Sequence, residues 1–500
     1  MDTSPRPSAP RLTCRRALPE RFLIPAVHLF DPQHGVDLAG DLLVEEGVIA
    51  ALGERVALPT GVDVLDDLAG CSVFPGFVDP HVHLRTPGHE YKEDLASGSL
   101  AAAAGGYVAV VAMANTDPVV DCGPVAAWVL DRAETDAVIR VGQVGAISRG
   151  LKGEELAEMR ELADAGVVAF SDDGRPVSDA DLLLHALRYA RGTGRALLLH
   201  LENSSLSLDG IMHEGRWSAR LGLRGIPAAC ESGPLAHELE LVRYVDAEGE
   251  RLAATRREAE DQAAGGPVAG GPVREDAPDG DPVPGGTALG AARATVPLVH
   301  FQHLSAADSV RLVRRAKEEG LPVTAEATPH HLLLTDERLA GFDQNLKVNP
   351  PLRSAADRDA LVAALAEGTI DCVATDHAPH APQEKEVPIE DALFGTTGLE
   401  TAFAALYTGL VLTGGLPLGR LIEAMSAGPC RVLGLAEPRL ALGAPADFCV
   451  VDLGETWKVS TAGFRGKGRN CAFLGQTLTG RVRLTVVDGA RRFARARGEV

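Results

Sequence analysis

The sequence predicts an α/β protein: a (β/α)8 TIM-like barrel with a small β domain formed from both ends of the chain. Three observations predict it. Eight apolar, strand-like runs alternate with amphipathic helical stretches across the middle of the chain, the pattern of a parallel sheet wrapped by helices. Residues able to bind metal recur just after those runs, and barrel enzymes keep their chemistry at strand C-termini. Short alternating strands with Gly-rich turns bracket the region on both sides.

The bulk properties narrow the function. A chain of 500 residues accommodates one barrel and an appendage. A formal charge of −21 excludes nucleic acid or an anionic membrane as the natural partner. An anionic substrate would therefore need local positive charge. The eight cysteines are scattered singly, with no Cys-x-x-Cys pair, which points to reduced thiols in the cytoplasm. The long uncharged run 95–116 is divided by Gly105-Gly106 into a short helix and a strand, so no membrane segment is expected. Residues 1–20, rich in Pro and Arg without an apolar core, read as a disordered tail rather than a targeting peptide.

Taken in order, residues 21–70 give short strands, with a hairpin over 42–50, and residues 435–500 give similar ones. Together they form the expected β domain. The barrel occupies 71–434, with strands at 72–82, 107–113, 138–146, 167–171, 196–201, 296–303, 322–327 and 370–375. Within it, 246–295 is rich in Gly, Pro, Ala and acids and is expected to be a disordered insertion.

The strand ends carry the chemistry. Along a strand, side chains alternate faces, so His81 and His83 point the same way and form a chelating pair for a metal such as zinc. Arg85 shares that face. Asn115 follows strand two, Asp172-Asp173 strand four, His200 strand five, His303 strand six, and Asp376-His377 with His380 strand eight. His300 falls on the opposite face from His303 and reads as structural, His330 and His331 as packing, and His89, His185, His213 and His237 as surface or helix residues. The stretch 380–394 after strand eight is expected to form a mobile lid over the mouth.

Several motifs resemble those of bacterial class I dihydroorotase, of the amidohydrolase superfamily. They are Asp79-Pro-His-Val-His-Leu-Arg85, Phe170-Ser-Asp-Asp-Gly174, Lys347-Val-Asn-Pro-Pro-Leu-Arg353 and Thr375-Asp-His-Ala-Pro-His380. The resemblance implies a binuclear zinc site: His81, His83 and Asp376 on one metal, His200 and His303 on the other, and Asp173 bridging. It implies substrate contacts from His83, Arg85, Asn115, Asn349 and His380 and from Phe394 and Gly395. The chain departs from the family pattern at Thr86, Ala114 and Leu393, none of which is an implied ligand or substrate contact.

The implied reaction is the reversible closure of N-carbamoyl-L-aspartate to (S)-dihydroorotate with loss of water, the third step of pyrimidine synthesis. A hydroxide shared by the two metals would be the nucleophile and Asp376 the general acid/base. A homodimer, or association with aspartate transcarbamoylase, is compatible with this reading. One rival is an allantoinase- or hydantoinase-like enzyme, whose substrates lack the carboxylate that Arg85 would hold. The other is a non-catalytic dihydroorotase-like partner of the transcarbamoylase, which would not need the full ligand set retained here.

Overall fold

The computed structural model describes residues 8–264 and 296–499. Its centre is the eight-stranded parallel barrel. The strands Phe77–Val82, Tyr107–Ala112 and Arg140–Gln143 pair in that order, and Leu197–Leu199, Val299–Phe301, Val323–Ala327 and Cys372–Val373 pair in theirs. Phe170 supplies the fourth position, bridging Gly145 on one side and Leu197 on the other. A bridge from Val82 to His377 closes the ring.

Strand one differs from the expected run 72–82. The chain breaks at Gly76, and Ser72–Pro75 leaves the barrel to pair with Phe22–Asp31 and Phe448–Lys458. The neighbouring strand approaches closely here, so only glycine fits: a Cβ on Gly76 would lie 2.2 Å from Cγ1 of Val108. The departing strand joins an eight-stranded sheet built from strands within 22–75 and 448–494. Phe77 stacks on Phe403 at 5.4 Å, and Phe74 packs against the same ring, locking sheet to barrel. The hairpin around Glu46-Gly47 forms as expected, both turn residues adopting positive φ.

Two expectations of disorder are corrected. Residues 8–20 are not a loose tail: Thr13 exchanges both backbone hydrogen bonds with Val141, and Arg11 N–H donates to Gly166. Residues 1–7 lie outside the described residues. The helix Ala229–Ala264 extends well into the expected insertion. Its Glu, Arg and Ala content favours helix, and Arg188 and Arg191 tie it down at Glu248 (2.9 Å) and Asp246 (2.8 Å). The remainder, 265–295, lies outside the described residues. The uncharged run resolves into the helix Leu95–Ala104, capped by Asp94, and the second barrel strand. Among the described residues, no helix is long and apolar enough to cross a membrane.

Glu238, on the helix Ala229–Ala264, is buried and its Oε2 has no hydrogen-bond partner among the described residues. Burial pushes its pKa up to about 8, with His200 opposing. The folded protein therefore holds a proton that the unfolded chain releases near pH 4.5, and stability falls as pH rises from there through 8. Glu238→Met is expected to flatten the decline of Tm between pH 6 and 8.5 in calorimetry. An unchanged slope would contradict the assignment.

Candidate active site

The strand ends converge as the two-residue period requires. His81 and His83 project from the end of strand one with ring centroids 5.5 Å apart. His83 Nε2 is 3.1 Å from Asp376 Oδ1, and His81 Nε2 is 3.6 Å from the same oxygen. Asp173 stands between the two halves of the cluster, its Oδ1 3.5 Å from His81 Nε2, 3.6 Å from His200 Nδ1 and 3.8 Å from His303 Nε2. His200 and His303 approach to 2.9 Å. All six residues are buried.

The donor set suits a divalent metal. Four imidazoles and two carboxylates face one another, and His81, His83 and Asp376 form one group of ligand distance while His81, Asp173 and His303 form another. His81 Nε2 is buried with no hydrogen-bond partner among the described residues, as a nitrogen kept for a metal would be. Burial opposes ionisation of Asp173, yet the surrounding histidines hold its carboxyl well below the usual range. Three of the site's residues, Arg85 (φ +60°), His303 (+33°) and Asp376 (+47°), sit in left-handed backbone that L-residues adopt only at a cost.

A cavity of about 300 Å³ opens over the cluster, lined by His83, Asp173, His200, His303 and Asp376 and also by Arg85, Asn115, Asn349, His380, Phe394 and Gly395. Every implied substrate contact thus faces one space. Arg85 Nε donates to Pro379 O at 3.3 Å, but no carboxylate lies in ion-pair range of Arg85 among the described residues. Asn115 bridges His83 Nδ1 and Asp173, and Asn349 donates to Glu202 at 2.8 Å. His380 Nε2–H donates to Phe394 O at 2.8 Å. Leu393, half out in solvent, lines the rim.

The dihydro-orotase-like family model matches residues 70–249. Over 463 residues the chain is 44% identical to the dihydroorotase of Anaeromyxobacter dehalogenans, covering 92% of this chain and 95% of that one. Over 468 residues it is 41% identical to the dihydroorotase of Citrifermentans bemidjiense, covering 94% and 98%. The chain belongs to the dihydroorotase family. Its fold is also that of the L-hydantoinase (dihydropyrimidinase) from Arthrobacter aurescens, with a TM-score of 0.75 at 23% identity over 97% and 98% of the two chains.

Around this dihydroorotase-family site lies a second ring of residues that orients the first. Glu326 accepts from His81 Nδ1 at 2.8 Å and from His300 Nε2 at 3.0 Å, and His300 reaches Thr324 at 2.8 Å. Burial works against the Glu326 charge, but His81 and His300 lower its pKa to about 2. Glu202 orients His200 in the same way at 3.0 Å. Asp79 accepts from the Thr375 hydroxyl at 2.6 Å and from the His81 N–H, tying strand one to strand eight. The available signal was a charged residue inside an apolar strand, as Glu326 is within Val323–Ala327. Asp172 turns away from the cluster and accepts from the Ile147 N–H at 2.7 Å. Glu326→Gln is expected to weaken metal binding about 10- to 100-fold, because it loses the charge that fixes the His81 ring. Competition with a chromophoric chelator measures this directly.

Proposed function

We propose that this chain is a bacterial class I dihydroorotase of the cytoplasm, interconverting N-carbamoyl-L-aspartate and (S)-dihydroorotate. The observation that carries the reading is Arg85: a half-buried guanidinium with no carboxylate partner among the described residues, facing the same cavity as the metal-capable cluster. In a protein of net charge −21, such a group is retained for an anionic ligand. Family membership and the reduced state of all eight cysteines agree with the reading.

Two zinc ions would be held by His81, His83 and Asp376 and by His200 and His303, with Asp173 between, supplying Lewis acidity and an activated water at neutral pH. Arg85 meets the substrate carboxylate with two parallel N–H donors. Asn115, Asn349, His380 and the Phe394-Gly395 backbone, which line the same cavity, hold polar atoms of the ligand. In ring opening, an Asp376 carboxylate oxygen takes a proton from the attacking water and passes it to the leaving amide nitrogen; in ring closure the nitrogen returns it and water is expelled. The stretch 380–394 excludes water once substrate is bound.

The test is hydrolysis of dihydroorotate by metal-loaded protein, with allantoin and hydantoin as comparison substrates. Absence of turnover with both metals bound would defeat the reading. Bound carbamoyl aspartate is also expected to slow protease cleavage within 380–394, and equal cleavage rates with and without it would remove the lid from the account.

A further inference from the structure

A second cavity, of about 740 Å³, lies on the terminal sheet between the strands Phe448–Lys458 and Thr477–Val487 and the turn bearing Phe464. It shares no lining residue with the barrel mouth. Its charge runs against that of the whole molecule, because Arg481, Arg495, Arg497 and Lys458 face only Glu400, Asp452 and Glu455. Those three acids are already engaged. Glu400 accepts from the Arg465 and Gly466 N–H groups, Asp452 from Arg497 at 2.9 Å, and Glu455 from Arg481 at 3.3 Å.

Arg495 is left over. It is 7% exposed, its Nε has no hydrogen-bond partner, and no carboxylate stands in ion-pair range among the described residues. Phe493 lies against its guanidinium at 4.9 Å. Arg481, equally buried, also leaves its Nε unused. Behind them Arg483, 1% exposed, has its counter-charge within the protein, standing 3.7 Å from Glu455, 3.8 Å from Asp67 and 4.0 Å from Asp452. A buried guanidinium donor without an acceptor is costly, and a cavity lined by Arg495, beside an Arg481 whose Nε is also unused, is arranged for an acceptor from outside. Burial, then the neighbouring Arg481, draws the Arg495 pKa down to about 10, a cost that a bound anion would relieve.

We propose that this cavity binds a phosphate-bearing small molecule, held by Arg495 and Arg481 and flanked by the rings of Trp457 and Phe464. A phosphate presents three acceptor oxygens to several guanidinium groups at once, where a carboxylate presents one edge. The space is larger than phosphate alone requires, leaving room for the group that carries it.

Trp457 reports on the site locally. The chain has three tryptophans, so a Trp128→Phe/Trp217→Phe background leaves Trp457 as the sole indole. Inorganic phosphate and pyrophosphate titrated into this metal-loaded protein are expected to change its emission saturably. Arg495→Gln should raise the midpoint at least about tenfold, the loss expected for a charged hydrogen-bond partner, while dihydroorotate hydrolysis is unaltered. If Arg495→Gln does not fold, Arg495→Lys, which keeps the charge and loses the fork, carries the same test with a smaller shift. No saturable change, or the same midpoint in the variant, would overturn the proposal. So would an emission change that follows self-association in sedimentation velocity, since the cavity would then be a contact between copies.

Discussion

Asp376→Asn is expected to lower kcat for dihydroorotate hydrolysis by about 10⁴-fold, the upper range for a lost proton-transfer group. The substitution is close to isosteric, so the change falls on chemistry rather than on packing. In the native site His83 Nε2 holds Oδ1 at 3.1 Å, and His81 approaches the same oxygen at 3.6 Å. Burial alone would favour the protonated acid, yet the hydrogen bond from His83 and the charges of His81 and His83 push its pKa below the ordinary carboxylate range. An amide in that place offers one weaker oxygen to a metal and nothing that can carry a proton. The left-handed φ of +47° shows the backbone held to serve this side chain. Metal analysis must accompany the kinetics. A variant that keeps both metals and loses less than tenfold in kcat would remove Asp376 from the proton path, whereas loss of one metal would assign it to coordination alone.

How far the site could be read in advance follows from what each residue does. His81 and His83 were legible because a chelating pair on a strand must obey the two-residue period, and Asp173, His200, His303 and Asp376 because barrel chemistry collects at strand ends. The structure brings all six together. Glu326 and Asp79 were not legible as supports, because His81 lies 245 residues from the one and Thr375 296 residues from the other, and only barrel closure brings them together. The break at Gly76 was hidden for a similar reason. The apolar run continues through it, and the side chain that forbids a Cβ there, Val108, belongs to the next strand. The helical extension to Ala264 was masked by the Gly- and Pro-rich residues that follow it, which dominated the composition of the whole segment. The spare arginine of the terminal sheet was not legible along the chain, since Arg495 is brought beside Arg481 only where its N–H donates to Arg483 O just past the last strand.

Arg85→Ala is expected to separate this enzyme from its structural neighbours more sharply than any other single change. Hydrogen bonds to a charged group contribute about 1.5–3 kcal/mol each, so losing a bidentate pair should cost roughly 10²- to 10⁴-fold in kcat/KM. The loss should fall on dihydroorotate and carbamoyl aspartate, which carry the carboxylate, and spare a neutral hydantoin. Arg85→Lys should recover only part of it, because an ammonium restores charge without the planar fork. The geometry favours such selectivity. Arg85 is anchored by Nε to Pro379 O, on the stretch after strand eight, so its terminal nitrogens remain for the ligand. Burial, opposed by Asp376 and Glu384, pulls the guanidinium pKa down, and a carboxylate arriving beside it supplies the missing counter-charge. If the neutral substrate loses as much as the acidic one, Arg85 shapes the mouth of the barrel and does not select what enters it.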